Sequence, residues 1–226
     1  MNRPYTMMLV AVSLDGKISP LRRPGQKNPV GPSLIPPEIM SFHNSKRVAD
    51  GIMVGLNCIL LDDSRLTLRE GAGDKQPTRI VLDGLAEISP DARVLNGDAP
   101  TIVVVSTDAP AEKIDAFKAK GAEIIVSGQG KFVDLPPLME ELHDRWGIER
   151  LIVEGGGTVH RSMIADNLYD ELHLIICPFV IGGKDAITPV ERGSFWPDDT
   201  IPEYELARAE KMGDYLYVVY KSKALQ

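Results

Sequence analysis

The stretch Leu151-Ile152-Val153-Glu154-Gly155-Gly156-Gly157-Thr158 runs from an apolar, β-branched strand into three glycines and then into a helical pattern. Glycine lets the backbone turn tightly and approach a ligand closely, and the helix start that follows offers free N–H groups to an anion. Such a strand, turn and helix belongs to an open α/β sheet, where ligands lie outside the carboxyl ends of the strands. It is not the G-x-G-x-x-G fingerprint, and Gly183-Lys184-Asp185 lacks the rest of a phosphate-binding loop.

Outward from this turn, short apolar runs bounded by turn residues recur at 5–13, 51–54, 79–82, 101–105, 123–126 and 151–153. Their length and β-branched content predict buried strands. Helical spacing fills 111–120, 134–146 and 158–168, so strand and helix alternate and predict a largely parallel sheet. The runs 171–177 and 215–221 have no helix between them and predict an antiparallel addition at the sheet edge. Six prolines between 20 and 37 exclude helix and mark a long loop before the segment 38–49. A second strand exit, Met53-Val54-Gly55-Leu56-Asn57-Cys58, reads as a turn leading to Asp62 and Asp63. Gly55 and the Gly155 turn are expected to face one ligand from two sides.

The chain of 226 residues is 43% hydrophobic, 25% charged and 6% aromatic, the balance of an ordinary globular protein that needs no disulfide to hold a core. No run approaches the roughly 20 apolar residues of a membrane span, and Met7-Met8-Leu9-Val10-Ala11-Val12 lacks a basic leader, so a reduced cytoplasmic protein is expected. A net charge of −7 argues against nucleic acid as a partner. The charge is uneven: residues 1–50 hold seven basic and three acidic side chains, a net +4, which leaves −11 for the rest. A cationic segment on an acidic protein can focus a small anion. His43, His143, His160 and His173 fall in no metal-binding pattern, and no G-x-S-x-G elbow supports a serine hydrolase.

Taken together, the motifs resemble the reductase domain of riboflavin biosynthesis, a family with the dihydrofolate reductase fold. The resemblance rests on Ser13-Leu14-Asp15-Gly16-Lys17-Ile18, on His43 to Lys46 with Ala49-Asp50-Gly51-Ile52-Met53-Val54-Gly55, and on Asp62-Asp63-Ser64-Arg65-Leu66-Thr67-Leu68-Arg69. Arg79-Ile80-Val81-Leu82-Asp83, Val153-Glu154-Gly155-Gly156-Gly157 and Leu168-Tyr169-Asp170-Glu171-Leu172 with Cys177-Pro178 and Gly182-Gly183 follow in the same order. The fold implied is a three-layer α/β/α sandwich with a mixed, mostly parallel central sheet and antiparallel C-terminal strands, as a single reductase domain over 1–226. The first strand lies within the first 13 residues, so this domain is expected to stand alone, without a fused deaminase.

The activity implied is NADPH-dependent reduction, with NADH as the other cofactor, of a diamino-ribosylamino-pyrimidinone 5′-phosphate: hydride reaches C1′ and ribosyl becomes ribityl. The resemblance assigns substrate contacts to Lys17, Ser33, Asp62 and the phosphate ligands Lys46 and Arg69. Glu154 or Asp62 is implied as the proton relay. It lays the cofactor across Gly55, Asn57 and Cys58 on one side and Gly155, Gly156, Gly157, Thr158 and Val159 on the other, with the adenosine near Asp83, Gly84 and Ser106. It implies a homodimer with a small phosphorylated substrate and no metal.

Several positions depart from the family pattern. Cys58 replaces a threonine hydroxyl, Lys46 replaces an arginine fork with a point charge, and 33–37 lacks an aromatic residue that would stack on the pyrimidine. Glu87 stands where a basic residue often follows the third strand, and a carboxylate there disfavours a 2′-phosphate. Two other readings follow: a reductase of the same fold acting on another pteridine, pyrimidine or carbonyl compound, and a non-catalytic nucleotide-binding scaffold.

Overall fold

The computed structural model describes residues 2–23, 26, 28, 30, 34–68, 75–195 and 201–224. Nine strands form one sheet: β1 (Tyr5–Ser13), β2 (Gly51–Gly55), β3 (Thr78–Leu82), β4 (Thr101–Val105), β5 (Glu123–Val126), β6 (Arg150–Gly155), β7 (Glu171–Cys177), β8 (Tyr204–Met212) and β9 (Tyr215–Ser222). Their order across the sheet is β5-β4-β3-β2-β6-β1-β7-β9-β8. Every pairing from β5 to β7 is parallel, whereas β9 runs antiparallel to both neighbours. The sequence of strand orders places β1 and β6 at the centre, and there the two glycine exits, on β2 and β6, become neighbours.

Helices cover both faces: α1 (Pro37–Lys46), α2 (Leu56–Asp62), α3 (Ala111–Ala119), α4 (Leu135–Asp144) and α5 (Gly157–Ala165). Side chains alternate between faces along a strand, so one sheet carries two cores. Met8, Val10, Val12, Met53 and Val153 pack beneath Leu138, Met139 and Leu142 of α4 and Met163 of α5. On the other face Met7, Leu9, Ile52 and Val54 meet Ile59 of α2 and Phe117 of α3. Toward the antiparallel edge, α1 lays Ile39 and Phe42 on Ile175 and Tyr217.

This is the three-layer architecture expected from the sequence, with two differences. Residues 56–62 form a helix rather than an open turn, and 204–212 add an edge strand that was not anticipated. The edge strand is exposed along most of its length, so it carries no apolar alternation to betray it. Among the described residues no helix is long and apolar enough to cross a membrane.

Candidate active site

The carboxyl ends of β2, β3 and β6 open, beside the middle of β1, into a cleft of about 1380 Å³ that α1, α2 and the first turn of α5 help to enclose. Its glycines have separate tasks. A Cβ on Gly55 would stand 2.8 Å from Val159 Cγ2, so only glycine lets the two strand exits approach this closely. A Cβ on Gly157 would lie 2.4 Å from Glu191 Cγ and 2.8 Å from the Thr188 carbonyl oxygen, so the segment 188–191 is seated directly on the start of α5. Gly155, at φ 135°, is buried and shapes the turn from below, and its peptide bond to Gly156 is cis. Gly156 has nothing within 4 Å of its Cβ position and faces the open cleft.

Helix α5 has no side-chain cap. The N–H groups of Gly157, Thr158 and Val159 therefore have no partner one turn back, while that of His160 bonds to the Gly156 carbonyl at 3.1 Å. Free main-chain donors at a helix start, with an uncovered glycine in front, fit the diphosphate of a dinucleotide. Behind the turn, the fully buried His160 pairs through Nδ1 with the Tyr169 hydroxyl at 2.6 Å, and its Nε2 has no hydrogen-bond partner. Burial pushes this imidazole down to about 3, so it is neutral.

Glu154, at the end of β6, is gripped by Arg47, the residue that caps α1. Arg47 Nε donates to Oε1 at 2.6 Å and Nη2 to Oε2 at 3.1 Å, while Nη1 donates to the Thr67 carbonyl at 2.9 Å. Both side chains are largely shielded, at 12% and 15% exposure, yet both line the cleft. Asp62, the last residue of α2, is similarly forked by Arg22, whose Nη1 and Nη2 lie 2.7 and 3.1 Å from its two oxygens. Arg22 Nε also donates to Ser19 Oγ, so this pair ties the loop after β1 across to α2.

Of the residues expected at the site, Gly55, Asn57, Cys58, Asp62, Gly84, Glu154, Gly156, Gly157, Thr158 and Val159 line the one cleft. Cys58 presents a neutral thiol, because burial pushes it up to about 12. Asp83 and Ser106 do not reach the cleft. The Asp83 carboxylate is fully buried and accepts the N–H groups of Glu87 and Ile88, both at 2.9 Å; burial raises its pKa and those two bonds oppose the rise. Ser106 Oγ donates to the Gly84 carbonyl at 2.8 Å. Both side chains build the β3 turn instead of touching a ligand.

Lys46 also faces elsewhere. Its Nζ lies 4.7 Å from the Phe42 ring centroid and 5.4 Å from that of Tyr217, in a separate hollow with Arg150, Glu171 and His173. The cleft receives Arg47 instead. Lys17, after a turn closed by its main-chain N–H on Ser13 Oγ at 2.9 Å, is not among the lining residues. Ser33 and Arg69 lie outside the described residues.

Sequence reasoning missed Arg22 and Arg47. Arg22 sits in a proline-rich loop that offers no periodicity. For Arg47 a signal existed: Ile39, Phe42 and Lys46 share one helix face at spacings of three and four, and Arg47 is turned about 100° from it. Among the described residues no cluster of three or more His, Cys, Asp or Glu could hold a metal ion.

A mixed sheet with this strand order, and a cleft between two glycine exits lined by an ion-paired glutamate, define an α/β protein of the dihydrofolate reductase-like class. The chain belongs to the RibD C-terminal domain family, whose pattern it matches over residues 4–218. It is 39% identical over 225 residues to the 2,5-diamino-6-ribosylamino-4(3H)-pyrimidinone 5′-phosphate reductase of Methanothermobacter thermautotrophicus, covering 98% of this chain and 99% of the relative. The protein of the same name from Archaeoglobus fulgidus is 36% identical over 221 residues, 94% and 95% of the two chains. Among solved structures, Acinetobacter baumannii RibD superposes with a TM-score of 0.78 at 18% identity, over 98% of this chain and 58% of that longer one.

Proposed function

We propose that this protein is an NADPH-dependent reductase of 2,5-diamino-6-ribosylamino-4(3H)-pyrimidinone 5′-phosphate, acting in the cytoplasm as a homodimer. The observation that carries the reading is Glu154, held by Arg47 at the mouth of β6, one residue from the glycine turn whose helix start suits a diphosphate. Full-length relatives that bear this activity in their names support the choice of substrate.

When bound, the nicotinamide supplies the hydride that C1′ of the opened ribosyl group receives. The chain's own work is positioning and proton movement. The main-chain donors of Gly157, Thr158 and Val159 hold the diphosphate, and Gly55, Asn57 and Cys58 form the opposite wall. Glu154 is placed to move the proton that opening of the sugar ring requires. It suits that task better than Asp62, whose side chain is 36% exposed against 15% for Glu154. Asp62 and Arg22 then close the substrate side.

Loss of NADPH absorbance with freshly generated ribosylamino substrate tests the proposal. Turnover is the expected result. Tight NADPH binding without turnover would leave the fold and cofactor site standing and assign the cleft to another substrate.

A further inference from the structure

We propose that Arg192, Lys131 and Phe132 form a clamp for an adenosine 2′-phosphate at the rim of the cleft, and that this clamp makes the protein prefer NADPH to NADH. The inference rests on the reading of the cleft as a nicotinamide dinucleotide site and names the residues that choose between the two dinucleotides.

The clamp bridges the two walls of that site. On one side, a Cβ on Gly84 would lie 2.4 Å from the Lys131 carbonyl oxygen, so the turn carrying Lys131 and Phe132 is seated on the exit of β3. On the other side, Arg192 follows Glu191, whose side chain packs on Gly157 at the start of α5. The two meet where the Arg192 guanidinium lies 3.9 Å from the centroid of the Phe132 ring. All of Gly84, Lys131, Phe132, Gly157 and Arg192 line the cleft.

The charges there are available. Among the described residues no carboxylate pairs with Lys131 or Arg192, and both side chains are exposed. Phe132, itself 47% exposed, fixes the plane of the guanidinium, which leaves its donor edge for an anion. A phosphate monoester carries close to two negative charges and takes charge-assisted hydrogen bonds from such a fork. The purine beside it finds an aromatic and guanidinium surface on which to stack.

The carboxylate expected to repel a 2′-phosphate is not in this place. Glu87 is exposed, lies outside the cleft, and has its N–H bound to Asp83 at 2.9 Å. Of the acids beside the clamp, Glu191 is turned onto Gly157, and Asp108 accepts the N–H of Gly130, the residue before Lys131, at 2.9 Å. Discrimination therefore falls to the 130–132 turn and the 188–192 segment rather than to the residues that follow β3.

Calorimetric titration of the full chain with 2′,5′-ADP and with 5′-ADP isolates the phosphate from turnover. The protein is expected to bind 2′,5′-ADP about tenfold or more tightly than 5′-ADP. Arg192→Glu should bring that ratio to about one or below while 5′-ADP affinity stays within about threefold, and Lys131→Glu should lower it in the same direction. Phe132→Ala should weaken both nucleotides, and 2′,5′-ADP the more, because it also frees the Arg192 guanidinium. Thermal melts of each variant, and the milder Arg192→Gln, separate loss of recognition from loss of fold. An unchanged ratio in the folded Arg192 variants overturns the clamp and leaves the cofactor site intact, as does equal binding of both nucleotides by the parent protein. If neither nucleotide binds the parent protein, the dinucleotide reading falls and the clamp falls with it.

Discussion

Arg47 and Glu154 make a bidentate pair in a cleft that is sheltered but open to ligand. In that geometry the arginine fixes both oxygens of the glutamate, so its effect on catalysis runs through Glu154. Glu154→Gln is expected to lower kcat by about 10²- to 10⁴-fold, the usual range for a general acid or base. Arg47→Gln should lower it less, and the double variant should be no slower than Glu154→Gln alone. Additive losses, measured as a double-mutant cycle on kcat, would mean that the two residues act separately. His160 makes a second prediction, on stability. Its folded pKa is about 3 against a free value of 6.5, because burial disfavours the charged ring. Between those values the unfolded chain binds the extra proton, so stability is full above pH 6.5 and declines as pH falls toward 3. The slope from one such group is at most about 1.4 kcal/mol per pH unit. Denaturant unfolding at pH 7, 6 and 5 should show a shallower decline for His160→Gln; an unchanged slope would assign the acid sensitivity to other groups. At this scale the sequence was readable for glycines and for Glu154, whose neighbours along the chain define their setting. It was not readable for Asp83 or Ser106, since whether a polar side chain turns toward ligand or toward its own turn depends on hydrogen bonds made in three dimensions.

Between elements, Gly55, where β2 passes into α2, stands tight against Val159 in the first turn of α5. Adding one methyl group at Gly55 drives it into the Val159 side chain, and overpacking of this kind costs about 1–3 kcal/mol. Gly55→Ala should therefore lower the melting temperature and weaken nucleotide binding. Val159→Ala removes the opposing Cγ2, so the double variant Gly55→Ala/Val159→Ala should recover most of both losses. Failure to recover, in melts and nucleotide titrations run side by side, would show that the requirement for glycine lies elsewhere than in this contact. The parallel strands were legible because each is a continuous apolar run. Helix α2 was not, because it has only seven residues and begins at a glycine that reads equally well as a turn. Strand β8 escaped for the opposite reason: Tyr204–Met212 mixes charge and apolar residues without alternation, and it is a strand because β9 beside it offers an unpaired edge.

Across the whole molecule, the edge hairpin presents an apolar surface on the face opposite α1. Cross-strand register aligns Leu172 with Tyr220 and Leu206, Leu174 with Val218 and Ala209, and Ile176 with Leu216 and Lys211. Leu206 is 53% exposed and Leu216 37%, whereas Leu172, Leu174 and Ile176 nearer β1 are half-buried against the core of the α4 and α5 layer. Large apolar side chains arranged in rows at a sheet edge mark a surface that another protein covers. A second copy of the same chain is the proposed occupant, since an isologous pair lets one such face meet itself about a two-fold axis. Light scattering should then give twice the chain mass. Leu206→Glu with Leu216→Glu places charges in the contact from both sides and should yield a monomer, with nucleotide binding retained because the cleft residues named above all lie away from the hairpin. A parent protein that runs as a monomer at all concentrations would refute the dimer. A dimer that survives both substitutions would move the interface to another face, and the apolar rows would then need a different partner.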